Sequence, residues 1–455
     1  MINTNRKDYQ KDLEEVIYMF SDGASEEITH IETNDGENFY DEFTLDGNVY
    51  KFTNQAKISN DLELKRYEKR FSKLSLYKIL SKKYGVDYEW GALTGIRPVK
   101  MAYSSKSFKK EFKDVFLVSD KKIELVEKIV NAQKDLYDYK GEYSSLFVGI
   151  PFCPSRCTYC SFTSRDINGF KDTGIYVDAL VKEIQSSKEL LKNPRSIYIG
   201  GGTPVCLSLN ELESVLKAVK KVVPNSVEFT VEAGRPDAIN KENLTLLKEY
   251  GVTRICVNPQ TFKEQTLKII GRNHSAKSVI EKYYLAKEFG FIVNADIIAG
   301  LPGESVEDFN ENLKILMELS PENFTVHTLC LKRGSELIEK CSRLASFGIS
   351  QMIDNSIEVA DKNGYAPYYL YRQKYAVDNL ENIGFSKPNC ECVYNIDVME
   401  ETSDNVACGT NSVSKKVYID QNRIERYGAP KDLKTYVSKI DKIITEKRQL
   451  FLNKA

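Results

Sequence analysis

Three closely spaced cysteines constrain this chain more than any other feature of its sequence. Cys153, Cys157 and Cys160 lie in the segment PFCPSRCTYC, separated by three residues and then by two. Thiolates are soft ligands that suit iron–sulfur clusters, and a cluster with four irons is usually held by four cysteines. Three ligands on so short a loop can hold three irons, which leaves the fourth iron free to bind an external ligand. The spacing therefore predicts a catalytic iron–sulfur site rather than an electron carrier.

Other roles for these cysteines fit the sequence less well. Structural zinc is usually bound by four ligands in paired spacing, and no further pair of that kind lies nearby. A disulfide would leave one of the three cysteines unpaired and is typical of secreted chains. Three unrelated core cysteines remain an alternative, because free cysteine is often buried.

The composition is that of a globular protein with more than one domain. The chain has 455 residues, a net charge of −1 and a pI of about 6.4, so no overall field attracts it to nucleic acid or to an anionic membrane. Its ten cysteines are not densely spaced, which argues against a disulfide scaffold. The charged N-terminus does not resemble a signal peptide, and no run of about 18 apolar residues suggests a membrane span. We therefore expect a cytoplasmic protein.

Residues 1–140 have the pattern of an N-terminal α+β domain. The Asp-Gly pair at 46–47 lies between two apolar runs of strand type, which predicts a β-hairpin. A long amphipathic stretch follows, and Gly85 is placed to end it as a helix. Residues 90–98 are predicted to form a loop that contains Arg97.

Between residues 141 and 335, apolar strands alternate with helices. The predicted strands are Leu146–Ile150, Ser196–Ile199, Val227–Glu232, Arg254–Asn258, Phe291–Ile298 and Phe324–Leu331. This alternation indicates a parallel sheet with crossover helices. A full eight-unit barrel needs about 250 residues. The predicted fold class is therefore α/β, with a partial (β/α)6 TIM-type barrel whose open side admits a large substrate.

Residues 336–455 are predicted to form a mostly helical C-terminal extension. The segment 365–375 is dense in tyrosine and contains Arg372 and Lys374. Cys390 and Cys392 form a pair whose role the sequence leaves open between a ligand site and two incidental thiols.

Polar motifs fall at the carboxyl ends of the predicted strands, where (β/α) barrels place their active sites. The cysteine loop follows the first strand and the segment 200–204, GGGTP, follows the second. Glu232 ends the third strand, Gln260 follows the fourth and Asp296 lies in the fifth. An unpaired charge inside an apolar strand is unfavourable, so Asp296 in particular is expected to bind something.

The segment 150–160, IPFCxxxCxYC, resembles the cysteine loop of the radical S-adenosylmethionine (SAM) proteins. Its Ile-Pro-Phe start is similar to that of the oxygen-independent coproporphyrinogen III oxidases, a subgroup that includes heme chaperones and anaerobic heme-degrading enzymes. The segments 93–98, LTGIRP, and 371–374, YRQK, further resemble the HemZ-type branch. The resemblance covers about residues 90–420 and implies a [4Fe-4S] cluster on the three cysteines with SAM at its open iron.

The resemblance also implies which residues bind SAM. They are Tyr159, Gly201, Gly202, Thr203, Glu232, Gln260, Arg272 and Asp296. Glu232 and Arg272 are expected to hold the methionine part, beside the glycine-rich turn, which offers a backbone without bulk. Gln260 and Asp296 offer acceptors to ribose hydroxyls, and Tyr159 is expected to pack on the adenine.

The chemistry implied by the family is radical formation from SAM. One electron from a low-potential donor cleaves the sulfonium bond, and the resulting 5′-deoxyadenosyl radical removes a hydrogen atom from the substrate. The implied function is that of a radical SAM oxidoreductase acting on a tetrapyrrole, coproporphyrinogen III, whose propionates become vinyl groups in heme biosynthesis. Arg97, Arg372 and Lys374 are candidates to bind those propionates, because their cationic groups suit carboxylates.

Three positions depart from the best-known branch of the family. Phe162 stands where that branch has a fourth cysteine, and Phe147 and Gly149 stand where it has tyrosine and histidine. These departures leave two alternatives open, namely an anaerobic heme-degrading radical SAM enzyme and a heme chaperone without enzymatic activity. No basic, aromatic surface for nucleic acid stands out.

Overall fold

The structure, a computed structural model, describes residues 2–21, 27–95, 97–160, 165–170, 172–225, 227–330, 335–337, 348–373 and 376–452. These residues form two compact units. The first unit comprises the described residues among 2–127 and 371–381, and the second comprises the other described residues. This division differs from the three predicted ranges.

The first unit contains a four-stranded sheet in the order β1-β2-β3-β4. Its strands are β1 (Ile2–Thr4), β2 (Ile28–Asn34), β3 (Asn38–Leu45) and β4 (Asn48–Gln55). Its helices are α1 (Gln10–Phe20), α2 (Asp61–Tyr84), α3 (Pro98–Tyr103), α4 (Phe108–Asp114) and the start of α5 (Asp120–Gln133). Strand β1 runs parallel to β2, and the other pairs are antiparallel. The apolar faces of α1, α2 and the sheet share one core, so the predicted α+β character of the N-terminal region is confirmed.

The turn between β3 and β4 shows how local sequence determines this sheet. Asp46 and Gly47 have φ angles of 52° and 76°, the left-handed pair that a two-residue hairpin turn of type I′ requires. The flanking residues Leu45 and Asn48 are paired across the strands. The predicted hairpin is therefore confirmed, and so is the end of α2 at Gly85, whose φ is 65°.

An eleven-stranded sheet, all of it in the second unit apart from residues 371, 372 and 381, has the order β13-β14-β12-β11-β10-β9-β8-β5-β15-β16-β17. The strands are β5 (Ser144–Ile150), β8 (Pro194–Gly201), β9 (Glu228–Gly234), β10 (Arg254–Val257), β11 (Ile292–Ala299), β12 (Asn323–Thr328), β13 (Ala366–Arg372), β14 (Glu381–Ser386), β15 (Asp404–Cys408), β16 (Val413–Tyr418) and β17 (Arg423–Gly428). Two further strands, β6 (Phe152–Cys153) and β7 (Arg165–Asp166), pair with each other.

The helices of the second unit lie between these strands or, for the last two, after β17. They are α6 (Thr173–Ser186), α7 (Leu209–Val222), α8 (Lys241–Glu249), α9 (Glu264–Ile269), α10 (Ala276–Glu288), α11 (Val306–Leu319), α12 (Ile349–Lys362), α13 (Val393–Glu400), α14 (Leu433–Ser438) and α15 (Ile440–Leu452). Within the described ranges, no helix combines the length and the apolar character needed to cross a membrane.

Six strands of this sheet, β5, β8, β9, β10, β11 and β12, are neighbours in chain order and run parallel. Parallel strands joined by crossover helices have their carboxyl ends at one edge, so the loops that follow them gather there. The α/β class and the six predicted strands are confirmed. Their closure into a partial barrel stays a prediction.

The prediction of a mostly helical C-terminal region is wrong. Strands β13 to β17 all come from that region and extend the sheet at both ends. Strand β15 runs parallel beside β5, and β14 runs antiparallel beside β12. Both β14 and β15 are buried at every position, so they lack the alternation of apolar and polar residues by which half-buried strands are recognised.

A buried ion pair joins α6 to α15. Lys447 donates to Glu183 at 3.1 Å, and both side chains are almost fully buried. The Glu183 carboxylate also accepts from the Tyr436 hydroxyl at 2.5 Å and from the Gly409 amide at 2.8 Å. Removal of either charge would leave the other buried without its partner, which is more unfavourable than loss of an exposed pair.

We expect Lys447→Met to lower the free energy of unfolding by about 3–5 kcal/mol, since it leaves the Glu183 carboxylate unpaired. The matched control is Lys182→Met, which removes an exposed pair to Asp441 between the same two helices. That control should lose less than about 1 kcal/mol. Urea denaturation of both variants measures the difference, and equal losses would contradict the role given to the buried pair.

Candidate functional site

The cysteine loop begins directly after β5. Cys153, Cys157 and Cys160 are half-buried, and none of them is in a disulfide. The amide of Cys160 donates to the Cys157 carbonyl at 3.1 Å, and the Thr158 amide donates to the Ile270 carbonyl at 3.1 Å. The loop is therefore turned on itself and attached to the segment before Arg272. Phe162 lies outside the described residues.

The glycine-rich turn after β8 packs directly against this loop. The amides of Gly202 and Thr203 donate to the carbonyls of Ile150 and Phe152, both at 2.7 Å. A Cβ atom on Gly202 would lie 2.3 Å from the Phe152 carbonyl oxygen, so only glycine fits there. The Thr203 hydroxyl is 3.6 Å from the sulfur of Cys153. Two motifs that are far apart in sequence thus form one structure.

The N–H groups of this turn point into the protein. The amides of Gly202 and Thr203 donate to the carbonyls of Ile150 and Phe152, and the amide of Gly201 donates to the Glu232 carboxylate. Gly201 itself has a φ of 100°, which an L side chain rarely adopts. The predicted contact of Gly201, Gly202 and Thr203 with SAM stays a prediction. Their observed contacts fix the positions of Cys153 and Glu232.

Glu232 is half-buried at the carboxyl end of β9. Its carboxylate accepts a hydrogen bond from the Tyr198 hydroxyl at 2.7 Å. Burial raises the pKa of Glu232 to about 7, although the Tyr198 hydroxyl opposes this change, and the negative charge of Asp296 adds to it. Glu232 can therefore exchange a proton, or gain a cationic partner, near neutral pH.

Asp296 lies in β11 in a polar setting. It accepts from the Asn294 amide at 2.8 Å, and its carboxylate is 3.7 Å from the His327 ring. Burial acts to raise the pKa of Asp296. The hydrogen bond and the charge of His327, and hydrogen bonds from Asn294 and Thr325, outweigh burial, so the pKa of Asp296 is lowered overall. Asp296 is thus ionised under the conditions in which Glu232 titrates.

Arg272 and Tyr159 are in contact with each other, and their predicted roles in binding SAM stay predictions. The Arg272 guanidinium donates to the Tyr159 hydroxyl at 3.2 Å and to the Asn258 carbonyl at 2.7 Å. Burial raises the pKa of Tyr159, and the charge of Arg272 acts in the opposite direction. Among the described residues, Arg272 makes no ion pair and its Nε atom has no hydrogen-bond partner.

Gln260 follows β10 with a φ of 63°. Its backbone bridges to β11, since its amide donates to the Asp296 carbonyl at 2.8 Å and its carbonyl accepts from the Ile298 amide at 3.0 Å. The side-chain oxygen Oε1 is buried and has no donor within the described part of the chain. An acceptor left unpaired in this way is unfavourable unless a ligand supplies the donor.

These observations fit a zwitterionic ligand that also carries hydroxyl groups. Within the described ranges, Arg272 has no anionic partner and Gln260 Oε1 has no donor, and Glu232 lies where a cation would favour its ionised form. The described residues contain no group of three or more His, Cys, Asp or Glu side chains that could hold a single metal ion. A cluster of four irons does not need one, because each cysteine binds a different iron.

The sequence did not predict four side chains that belong to this region. Tyr198 and His327 contact the two carboxylates, Asn294 bonds to Asp296, and Arg235 bonds to the cysteine loop. Asn294 is two residues from Asp296, so alternation along β11 places both on one face. Tyr198 and His327 also lie in predicted strands, but it is the register with the neighbouring strands, Tyr198 beside Thr230 and His327 beside Ile298, that places them on the face of Glu232 and Asp296. Arg235 follows the end of β9 and had no motif to mark it.

Two of the three predicted propionate-binding residues are described, and both lie in the first unit. Arg372 is buried beneath the ring of Trp90, and its guanidinium donates to the carbonyls of Leu93 and Asn379. Burial lowers the pKa of Arg372 to about 9. Arg97 is half-buried just before α3. Lys374 lies outside the described residues, and the substrate role of all three stays a prediction.

Cys392 has a structural setting rather than that of a metal ligand. Its buried thiol donates to the Glu228 carboxylate at 3.3 Å, and burial, with the charge of Glu228, raises the pKa of the thiol to about 12. Glu228 also accepts from the amides of Val393 and Tyr394 at the start of α13 and pairs with Arg254 at 3.0 Å. Cys390 is half-buried, and its carbonyl accepts from Arg254.

Comparison with known proteins identifies this arrangement. The family model of the radical SAM superfamily matches residues 147–316, which include the cysteine loop and strands β8 to β11. Among solved structures, coproporphyrinogen III oxidase HemN of Escherichia coli, described as a radical SAM enzyme, superposes with a TM-score of 0.54. That likeness covers 68% of this chain and 71% of HemN at 21% sequence identity, and it therefore establishes the fold alone.

Two curated relatives from Bacillus subtilis (strain 168) differ in how much of the chain they match. Heme chaperone HemW is 34% identical over 194 residues, which cover 41% of this chain and 51% of HemW. The oxygen-independent coproporphyrinogen-III oxidase-like protein HemZ is 39% identical over 386 residues, which cover 80% of this chain and 77% of HemZ. This chain therefore belongs to the radical SAM superfamily and, within it, to the oxygen-independent coproporphyrinogen-III oxidase family.

Proposed function

We propose that this protein is an oxygen-independent coproporphyrinogen III dehydrogenase that converts propionate side chains of its substrate to vinyl groups in heme biosynthesis. The observation that carries the proposal is the 39% identity to HemZ over 80% of this chain. HemZ is named an oxidase-like protein of this type, and similarity along most of both chains favours shared chemistry. An oxygen-sensitive cluster needs a reducing compartment, so we assign the protein to the cytoplasm.

The residues of the second unit would hold the two cofactors of the family. Cys153, Cys157 and Cys160 would bind a [4Fe-4S] cluster, and SAM would lie against Tyr159, Gly201, Gly202, Thr203, Glu232, Gln260, Arg272 and Asp296. When bound, cluster and SAM supply a one-electron chemistry that removes a hydrogen atom from an unactivated carbon. Arg272 would pair with the SAM carboxylate and Glu232 with its ammonium group. Gln260 Oε1 and Asp296 would accept from the ribose hydroxyls.

Each conversion of a propionate to a vinyl group removes one hydrogen atom, carbon dioxide and one electron. The protein therefore needs a low-potential electron donor to start the reaction and an acceptor to finish it. Arg97, Arg372 and Lys374 are the propionate-binding candidates. The Arg372 guanidinium also donates to backbone carbonyls, so it fixes the segment that carries Arg97.

A second candidate function, that of a heme chaperone, is favoured by the similarity to HemW. The two functions differ in a simple respect. A chaperone binds heme in stoichiometric amount and does not consume SAM, whereas the dehydrogenase consumes SAM and releases carbon dioxide from its substrate.

We expect each of the variants Cys153→Ala, Cys157→Ala and Cys160→Ala to lose the cluster, because the loop supplies three thiolates and the cluster needs all three. Anaerobic reconstitution followed by iron and sulfide analysis should give about four irons per chain in the unaltered protein. Cys390→Ala is the matched control and should retain them. Full iron content in Cys157→Ala would contradict the assignment of the ligands.

We expect SAM to bind more weakly as the pH falls through 7. The pKa of Glu232 is raised to about 7, so its carboxylate is protonated below that pH and no longer attracts an ammonium group. If only the ionised form binds, affinity falls roughly fivefold from pH 7 to pH 6. Anaerobic calorimetry on the cluster-loaded protein measures this change.

Two variants test whether Glu232 is the titrating group. Glu232→Gln should bind SAM weakly at all pH values and show no midpoint near 7. Tyr198→Phe removes a hydrogen bond that lowers the pKa of Glu232, so the midpoint should move upward. An unchanged pH profile in Glu232→Gln would show that another group is responsible.

The decisive experiment is anaerobic incubation of cluster-loaded protein with SAM and a reductant, and with coproporphyrinogen III or heme in separate reactions. We expect mass spectrometry to show loss of two carboxyl groups from coproporphyrinogen III, and Cys157→Ala to form no product. Absence of a decarboxylated product would reject the proposal. Consumption of heme would instead indicate a heme-degrading enzyme, and tight binding of heme without SAM cleavage would indicate a chaperone.

A further inference from the structure

Arg235 is a buried cation beside the cysteine loop. It follows the last residue of β9, three positions after Glu232, and only 4% of its surface is exposed. Its amide donates to the Ala233 carbonyl at 2.7 Å, and its carbonyl accepts from the Ala238 amide at 3.0 Å. The backbone on both sides is therefore fixed, and the side chain extends from a rigid base.

The guanidinium of Arg235 joins two partners. Two of its nitrogens, Nε and Nη2, donate to the carboxylate of Asp237 at 3.0 and 2.8 Å, which is the bidentate geometry of a strong arginine–carboxylate pair. The third nitrogen, Nη1, donates to the hydroxyl of Ser155 at 2.7 Å and to its carbonyl at 3.2 Å. Asp237 fixes the orientation of the guanidinium, and Ser155 accepts its remaining hydrogen bonds.

Ser155 lies between two of the cluster ligands. It is two residues after Cys153 and two residues before Cys157, so a bond to its carbonyl fixes the part of the loop that spaces these sulfurs. The hydrogen bonds to Ser155 place the positive charge of the Arg235 guanidinium beside the turn that joins Cys153 and Cys157. The guanidinium is thus both a mechanical support of the loop and a fixed positive charge next to it.

We propose that Arg235 is a positioning residue for the iron–sulfur cluster, which fixes the loop between the first two ligands and favours the reduced form of the cluster by its charge. The inference rests on the proposed cluster. Reduction adds one negative charge to the cluster, and a nearby cation stabilises that charge. Net charge and hydrogen bonds around the sulfurs are among the features that determine cluster potentials.

Two substitutions distinguish the effect of the Arg235 charge from the effect of its hydrogen bonds to the loop. Arg235→Gln keeps a polar side chain and removes the charge, whereas Arg235→Lys keeps the charge and removes the fork of donors. We expect Arg235→Gln to disfavour reduction about tenfold, which for a one-electron couple equals a midpoint lower by about 59 mV. Arg235→Lys should have a midpoint close to that of the unaltered protein.

The measurement is an anaerobic redox titration of the cluster-loaded full chain followed by electron paramagnetic resonance. Arg195→Gln is the matched control, since Arg195 also forms a bidentate pair, with Asp397, at the start of β8 and away from the cysteine loop. It should leave the midpoint unchanged. An Arg235→Gln midpoint equal to that of the unaltered protein, or equal falls in Arg235→Gln and Arg235→Lys, would overturn the proposal.

A third variant covers the case in which Arg235→Gln holds no cluster. Asp237→Asn keeps the guanidinium and removes the negative charge that opposes it, so the midpoint should rise. An unchanged midpoint in that variant would overturn the electrostatic part of the proposal.

Failure of the cluster assignment itself is recognised separately. If the unaltered protein takes up no cluster, the proposed function fails. Whether Arg235 fixes the loop is then tested on the iron-free protein. In that form, alkylation of Cys153 and Cys157 should be faster in Arg235→Gln than in the unaltered protein or in Arg195→Gln. Equal rates would overturn the positioning role.

Discussion

The site depends on the close approach of the glycine-rich turn after β8 to the start of the cysteine loop. At Gly202 the approach is so tight that a side chain would overlap the carbonyl oxygen of Phe152. The amides of Gly202 and Thr203 complete the contact by bonding to Ile150 and Phe152. Because β8 also carries Tyr198, this one contact fixes the positions of the cysteines and of Glu232 with respect to each other.

The charges around this contact are distributed for a ligand rather than for the stability of the protein alone. Elsewhere in the second unit, two buried arginine or lysine side chains are paired with glutamates, namely Lys447 with Glu183 and Arg254 with Glu228. In the site, by contrast, Arg272 has only neutral hydrogen-bond partners among the described residues, and Gln260 has an unpaired oxygen. Buried polar groups without partners are unfavourable, and a ligand that satisfies them gains the corresponding free energy.

The sequence predicted the elements that depend on local pattern. The hairpin at 46–47, the six parallel strands and the placement of polar motifs at one edge of the sheet all follow from turn chemistry and strand–helix alternation. Strands β14 and β15 were missed because burial on both faces removes that alternation. Arg235 and His327 were missed because their importance lies in contacts between distant segments, which spacing along the chain does not reveal.

The position of β15 has a consequence for how the protein is made. Strand β5 leads directly into the cysteine loop, and one of its two neighbours in the sheet, β15, comes from residues 404–408. During synthesis on the ribosome, β5 therefore keeps one side uncovered until residues 404–408 have been made. The strand that leads into the cysteine loop can therefore take its final place in the sheet only after those residues have folded against it.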